Sequence, residues 1–146
     1  MCIRVLIADD QPRARRSLKA LLTAMRWSTL SHAGQPTSAG FLPVEVVGEA
    51  EDGPQAVEQA WALQPDVVVM DLQLHTVSVP EPRLDGMAAI GMIKSRWPAI
   101  RIVVLTMYAT DRASVLAAGA DAFLLKGCPT RELLDAVMPR LASGAD

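Results

Sequence analysis

Cysteine is nearly absent from the sequence, with only Cys2 and Cys128 among 146 residues. Two thiols so far apart make neither the disulfide framework of a small secreted domain nor the paired ligands of a zinc knuckle. Charge is also modest, with 14 basic residues against 16 acidic ones and a formal net charge of −2. Proteins that bind phosphate backbones usually show an excess of positive charge. We therefore predict a reduced, cytoplasmic compartment and no DNA binding by this domain itself.

Long hydrophobic runs are missing too, although hydrophobic residues make up 51% of the chain. A membrane helix needs about 20 consecutive apolar residues, whereas the runs here have the length of strands. No basic leader precedes the first run, so we expect neither a secretion signal nor a membrane partner. A chain of this size can bury a core of its own. We predict one domain over residues 1–141, with 142–146 as the start of a linker or tail.

Short runs of Val, Ile and Leu recur along the chain and are typical of buried strands. Segments with helical spacing separate them, and strands joined by helical crossovers are parallel. The sequence therefore predicts an α/β fold, a doubly wound five-stranded parallel sheet with helices on both faces. The predicted strands are 3–8, 44–47, 67–70, 102–105 and 122–125.

Two stretches interrupt this alternation, residues 26–43 and residues 73–84. The first is rich in Ser, Thr, Gly and Pro, and the second contains Pro80 and Pro82. Both predict long loops, which compact domains seldom contain without a function. In the second predicted helix, Val57, Ala60 and Trp61 have the spacing of an apolar face.

Polar side chains close four of the five predicted strands. Asp9 and Asp10 follow the first strand, Asp71 the third, Thr106 the fourth and Lys126 the fifth. In an open parallel sheet, ligands bind outside the carboxyl ends of the strands. In the strand order 2-1-3-4-5 these four strands are neighbours, so we expect the five side chains to meet at one edge.

Carboxylates that converge on one edge repel one another unless a cation lies among them, and hard oxygen ligands suit Mg²⁺. One carboxylate could then attack a phosphoryl group while an ammonium and a hydroxyl bind its oxygens. Taken singly, each residue has a plainer interpretation. Asp9 or Asp10 could cap a helix, and Lys126 could be a solvated lysine. Asp71 is the hardest to explain without a function, because it closes a buried strand where charge is costly.

The segments VLIADDQP, EVVGEAEDG, QPDVVVMDLQ, LDG, RIVVLTMY and AGADAFLLK together resemble the receiver domain of response regulators. The resemblance covers nearly the whole chain apart from 26–43 and 73–84. It implies a flavodoxin-like fold and a part in two-component phosphorelay signal transduction, with Asp71 as the acceptor of a phosphoryl group from a sensor histidine kinase. Receivers that precede a LuxR-type helix-turn-helix domain are the most similar. That implies control of transcription through an effector domain absent from these residues.

The resemblance also implies roles for individual site residues. Asp10 is expected to bind Mg²⁺ directly and Asp9 mostly through water, with Asp71 and the backbone carbonyl of Gln73 completing the protein ligands. Thr106 and Lys126 are expected to bind the phosphoryl group.

A switch and a tuning role follow from the same resemblance. Phe123 occupies the position of an aromatic switch that moves inward when the Thr106 hydroxyl is drawn to the phosphate. Gln73 and Tyr108 occupy positions that tune the lifetime of the phosphoryl group. The face formed by helix 4, strand 5 and helix 5 is one that receivers use for homodimers or partners. Such a domain is not an enzyme, although it assists its own phosphorylation and dephosphorylation.

Two other functions compete with this interpretation. A phosphorylation-independent interaction module would use the same fold, with the long loop after Asp71 covering the pocket. A Mg²⁺-dependent phosphohydrolase of the haloacid dehalogenase class would need a second acid two residues after the nucleophile. Gln73 stands there and cannot protonate a leaving alkoxide. A flavin is disfavoured because the acids that end the first strand would repel its phosphate.

Overall fold

A computed structural model of the chain describes residues 3–31, 44–72, 86–107 and 112–137, with the backbone alone for 24–31. All five strands are parallel and lie in the order β2-β1-β3-β4-β5, as predicted. The strands are β1 (Ile3–Ala8), β2 (Val44–Ala50), β3 (Val67–Met70), β4 (Arg101–Thr106) and β5 (Ala122–Leu125). The helices are α1 (Pro12–Ser31), α2 (Gly53–Leu63), α3 (Gly86–Arg96), α4 (Arg112–Ala118) and α5 (Thr130–Val137).

Two hydrophobic clusters cover the two faces of the sheet. Successive residues of a strand point to opposite faces, so Val68 joins one cluster while Val67 and Val69 join the other. The first cluster includes buried side chains of α2, α3 and α4, and the second includes those of α1 and α5. Because apolar side chains cover both faces, polar residues can gather only at the ends of the strands.

Helix α2 shows how short polar signals set the element boundaries. The Asp52 carboxylate accepts a hydrogen bond from the Gln55 N–H at 2.8 Å, which satisfies one of the free donors at the helix N-terminus. Pro54 stands in the first turn, where its missing N–H costs nothing. The helix therefore begins directly after β2, whose last residues lie beside the carboxyl end of β1.

The prediction of a loop over 26–43 is wrong for its first part, because α1 continues to Ser31. Residues 26–31 contain neither Gly nor Pro, so nothing in them forces the helix to end. The rest of that stretch and the second predicted loop, 73–84, lie outside the described residues. Strand β2 also runs three residues beyond its prediction, to Ala50.

Trp61 does not face the core, contrary to the prediction for α2. Its side chain is 67% exposed, and its ring stacks on that of Trp97 with centroids 6.3 Å apart. Ala56 and Ala60 take the innermost positions of the helix and are fully buried. Adjacent positions of a helix point about 100° apart, so the ring that follows Ala60 turns outward.

Candidate functional site

Backbone hydrogen bonds extend the sheet by one residue beyond β1 and β3. The Asp9 N–H donates to the Ala50 carbonyl at 2.9 Å, and the Asp71 N–H donates to the Ala8 carbonyl at 2.9 Å. Both acids are buried, with 5% of Asp9 and 7% of Asp71 exposed. Burying an unpaired carboxylate is costly, so these positions need compensation by a cation or by hydrogen bonds.

Asp9, Asp10 and Asp71 form one acidic cluster. Each offers a carboxylate oxygen, and the three oxygens lie within 4.8 Å of one another. The Asp9 Oδ1 atom also accepts a hydrogen bond from the Gln11 N–H at 2.9 Å, which fixes the direction of that side chain. Several anionic oxygens at this spacing are the donor set that a hard divalent cation such as Mg²⁺ prefers. The residues present therefore fit the predicted metal.

Lys126 lies against two members of this cluster. Its Nζ atom donates to Asp9 Oδ2 at 2.9 Å and to Asp71 Oδ2 at 3.1 Å. Burial by itself would lower the pKa of Lys126, but the hydrogen bonds and charges of the two carboxylates outweigh it and raise the pKa above its ordinary value. A raised lysine pKa stabilises the fold at every pH below the ordinary value, and this contribution is lost only as the pH rises through the folded pKa. Lys126 is thus protonated at neutral pH, as both contacts require.

Thr106 and Lys126 are neighbours at the same edge of the sheet. The Lys126 N–H donates to the Thr106 carbonyl at 2.7 Å, directly after the last paired residues of β4 and β5. Thr106 is buried, with 1% exposed. Phe123 pairs with Val104 in the register of β5 and is also buried, with 9% exposed.

The structure therefore gathers most of the residues that the sequence singled out. Asp9, Asp10, Asp71 and Lys126 lie together, and Thr106 ends the strand beside them. Gln73 and Tyr108 lie outside the described residues, so their roles in metal binding and phosphoryl lifetime stay predictions.

Arg15 is a site residue that the sequence analysis missed. Its Nη1 atom donates to the Asp9 carbonyl at 2.6 Å, and its Nε atom donates to Glu49 Oε1 at 3.1 Å. The sequence places Arg13, Arg15 and Arg16 close together on one helix, a pattern that usually indicates a solvated face. The position of Arg15 in the chain could have indicated this role. Helix α1 begins at Pro12, so residue 15 lies in its first turn, beside the strand ends.

Gly86 gives α3 its close approach to the Asp71 segment. A Cβ atom at this position would lie 2.7 Å from the Leu72 carbonyl oxygen and 3.0 Å from that of Asp71. These are backbone atoms that cannot rotate away. We expect Gly86→Ala to lower the free energy of unfolding by about 2 kcal/mol, as measured by urea denaturation.

Gly91 in the same helix is the matched control for this substitution. Nothing lies within 4 Å of a Cβ atom built there. Gly91→Ala should raise the free energy of unfolding by about 0.5–1 kcal/mol, because alanine loses less backbone entropy in a helix. Equal effects of the two substitutions would contradict a close helix approach at Gly86.

Comparison with known proteins agrees with this geometry. The sequence profile of the response regulator receiver domain matches residues 42–138. The chain belongs to this family. As a receiver domain it is part of a two-component response regulator, and its five-stranded sheet is the expected fold.

Among its relatives, the response regulator protein VraR of Staphylococcus aureus is 32% identical over 139 residues. That match covers 94% of this chain and 56% of VraR, so the chain spans little more than half the length of this relative. The signal receiver domain of the response regulator NarL from Mycobacterium tuberculosis superposes with a TM-score of 0.71 at 27% identity, over 94% of each chain. A LuxR-family two-component response regulator from Aurantimonas gives 0.72 at 27% identity, over 98% of this chain and 87% of that one. The predicted similarity to receivers of LuxR-type regulators is confirmed.

The described helices were also compared with the length and hydropathy needed to cross a bilayer. None of them, within residues 3–31, 44–72, 86–107 and 112–137, is long and apolar enough to do so.

Proposed function

We propose that this receiver accepts a phosphoryl group on Asp71 from a sensor histidine kinase, with Mg²⁺ bound by Asp9, Asp10, Asp71 and the Gln73 carbonyl. The main support is the contact of one ammonium, on Lys126, with two carboxylates of a buried acidic cluster. A cluster of acids with a matched cation at a strand edge provides both a nucleophile and the charge that a phosphoryl group needs.

The chemistry follows from the positions of these groups. An Asp71 carboxylate oxygen attacks phosphorus in line and forms an O–P bond. The P–N bond of the donor phosphohistidine breaks, and its electron pair returns to the imidazole nitrogen. Mg²⁺, when bound, neutralises charge on the phosphoryl oxygens. Lys126 lies close enough to Asp71 to donate to one of those oxygens once its contact with the carboxylate is released. No substrate is turned over, so the domain is a phosphoacceptor rather than an enzyme.

The proposal also includes a response of the protein surface to phosphorylation. Thr106 and Phe123 connect the site to the surface formed by α4, β5 and α5. A pocket of about 490 Å³ lies on this surface, and Arg112, Phe123, Lys126 and Glu132 are among its lining residues. Leu116 and Leu125, on α4 and β5, are 38% and 40% exposed. Phosphorylation would shift the population of this surface between two arrangements and so change its affinity for a second copy or a partner.

We further propose that the receiver, over residues 1–141, controls transcription from the cytoplasm through an effector domain, with 142–146 beginning the linker. The relatives support this, since VraR is longer than this chain and the Aurantimonas protein is a LuxR-family regulator.

Intact-protein mass spectrometry with acetyl phosphate as donor tests the proposed function. We expect a single phosphoryl adduct with Mg²⁺ and none when EDTA replaces the metal. Borohydride reduction followed by peptide mapping should place the adduct on Asp71, because the reagent converts an acyl phosphate to an alcohol. Failure of the folded protein to form an adduct would favour the phosphorylation-independent interaction module instead.

Thr106 should couple the phosphoryl group to the surface without being needed for its transfer. We expect Thr106→Val to form the adduct while hydrogen exchange of β5 amides no longer changes on phosphorylation, because the hydroxyl that binds the phosphoryl oxygen is gone. Thr106→Ser keeps the hydroxyl and should respond like the wild type. A full exchange response in Thr106→Val would exclude Thr106 as the coupling residue.

A further inference from the structure

Arg15 joins three separate parts of the fold. It belongs to the first turn of α1, donates to the Asp9 carbonyl after β1 at 2.6 Å, and pairs with Glu49 near the end of β2 at 3.1 Å. Its side chain is 14% exposed and that of Glu49 is 39% exposed, so the ion pair is partly solvated and the main constraint is the hydrogen bond to the Asp9 carbonyl. Lys19, one turn further along α1, lies 3.9 Å from the other Glu49 oxygen.

The bond to Arg15 completes the constraint on Asp9. The Asp9 N–H donates to Ala50, its Oδ1 accepts from Gln11, its Oδ2 accepts from Lys126, and its carbonyl accepts from Arg15. That carbonyl belongs to the peptide unit that also contains the Asp10 nitrogen. Because a peptide unit is planar, holding its oxygen sets the direction in which the chain continues to Asp10.

We propose that Arg15 is a positioning residue that sets the Mg²⁺ affinity of the acidic cluster, with Glu49 orienting its guanidinium. The inference rests on the proposed function, since it assumes that the cluster binds Mg²⁺. A planar guanidinium can donate to Asp9 and Glu49 together, whereas a lysine ammonium is a point charge on a flexible stem. Without Arg15 the Asp9–Asp10 segment has to be ordered when the metal binds, and that cost weakens binding.

Electrostatics alone predicts that replacing Arg15 changes the Mg²⁺ affinity in the opposite direction. Removing a positive charge near three carboxylates should strengthen their attraction for a divalent cation. If Arg15 acts by positioning Asp9, a variant without its charge binds Mg²⁺ more weakly, although the protein becomes more negative. Arg16 is the next residue on α1 and is exposed, so replacing it measures the effect of losing one positive charge alone.

The test is isothermal titration of MgCl2 into the folded, metal-free protein, with Tm measured on each variant. We expect Arg15→Met to raise the Kd for Mg²⁺ about 10-fold. Arg15→Lys should lie between it and the wild type, and Glu49→Gln should raise the Kd by a smaller factor. Arg16→Met should leave the Kd unchanged or slightly lower. At saturating Mg²⁺, the rate of labelling by acetyl phosphate should return to that of the wild type in both Arg15 variants.

The outcomes separate the two proposals. A wild-type protein that binds no Mg²⁺ overturns the proposed function itself. A wild type that binds while Arg15→Met binds equally or more tightly overturns the role of Arg15 alone. Labelling that stays slow at saturating Mg²⁺, together with a fall in Tm, would show that Arg15 only supports the fold. If Arg15→Met does not fold, Arg15→Lys decides because it keeps the positive charge, and an unchanged Kd in that variant overturns the inference.

Discussion

Replacing Asp71 by Asn is expected to abolish phosphoryl incorporation, because an amide oxygen is too weak a nucleophile to form the O–P bond. The variant should remain folded. Asp71 shares Lys126 with Asp9 and lies beside the carboxylates of Asp9 and Asp10, so removing one negative charge relieves repulsion and leaves the lysine a partner. We expect the free energy of unfolding without Mg²⁺ to be unchanged or higher. Intact-protein mass spectrometry and urea denaturation of the same sample measure both effects.

Asp66 at the opposite end of β3 provides the matched control. Its carboxylate accepts a hydrogen bond from the Arg4 N–H at 2.9 Å, far from the acidic cluster, and an amide oxygen can accept the same bond. Asp66→Asn should therefore label at the wild-type rate. An adduct that persists in Asp71→Asn would show that another residue accepts the phosphoryl group.

Lys126→Met is expected to slow labelling by about 100-fold, since it removes a donor placed where charge develops on the phosphoryl oxygens. Methionine keeps the apolar stem and deletes only the ammonium. Without Mg²⁺ the variant should also lose about 2 kcal/mol of stability, because two buried carboxylates lose their shared cation. Adding Mg²⁺ should restore more stability to the variant than to the wild type. Labelling kinetics and urea denaturation, with and without the metal, measure these effects.

Lys94 separates the loss of an ion pair from the loss of function. Its Nζ atom pairs with Asp121 at 2.9 Å and donates to the Ile100 carbonyl at 2.9 Å, near the amino end of β4. Lys94→Met should be destabilising as well, yet it should label at the wild-type rate. If both lysine variants label normally, the ammonium of Lys126 does not assist phosphoryl transfer.

The main features of the site could be predicted from the sequence because the geometry of a parallel sheet is simple. Each apolar run gives a strand, and the residue that closes the run lies at the carboxyl edge. Asp9, Asp71 and Lys126 satisfy this rule, and the strand order brings them into contact. The prediction of a metal site rests on the kinds of side chain that meet there, three carboxylates within 4.8 Å of one another.

Features that depend on three-dimensional packing could not be predicted in the same way. Arg15 contacts Asp9 and Glu49, which are 6 and 34 positions away, and nothing in a helical charge pattern identifies either partner. Whether Trp61 or Ala60 faces the core depends on the space left between α2 and the sheet. The end of α1 is not predicted correctly because Ser and Thr favour loops only weakly, and a helix tolerates Ser28, Thr29 and Ser31 when no Gly or Pro lies among them.

The contact between Lys126 and Asp9 joins residues 117 positions apart, through strands that lie on opposite sides of the sheet centre. A sheet that lacks β5 cannot hold both residues, so a nascent chain cannot assemble the site until β5 has been synthesised and paired. The complete cluster of Asp9, Asp71 and Lys126 is consequently a property of the fully folded domain. If Asp71 accepts a phosphoryl group as proposed, a copy that lacks β5 or has lost it by local unfolding would not respond to a phosphodonor.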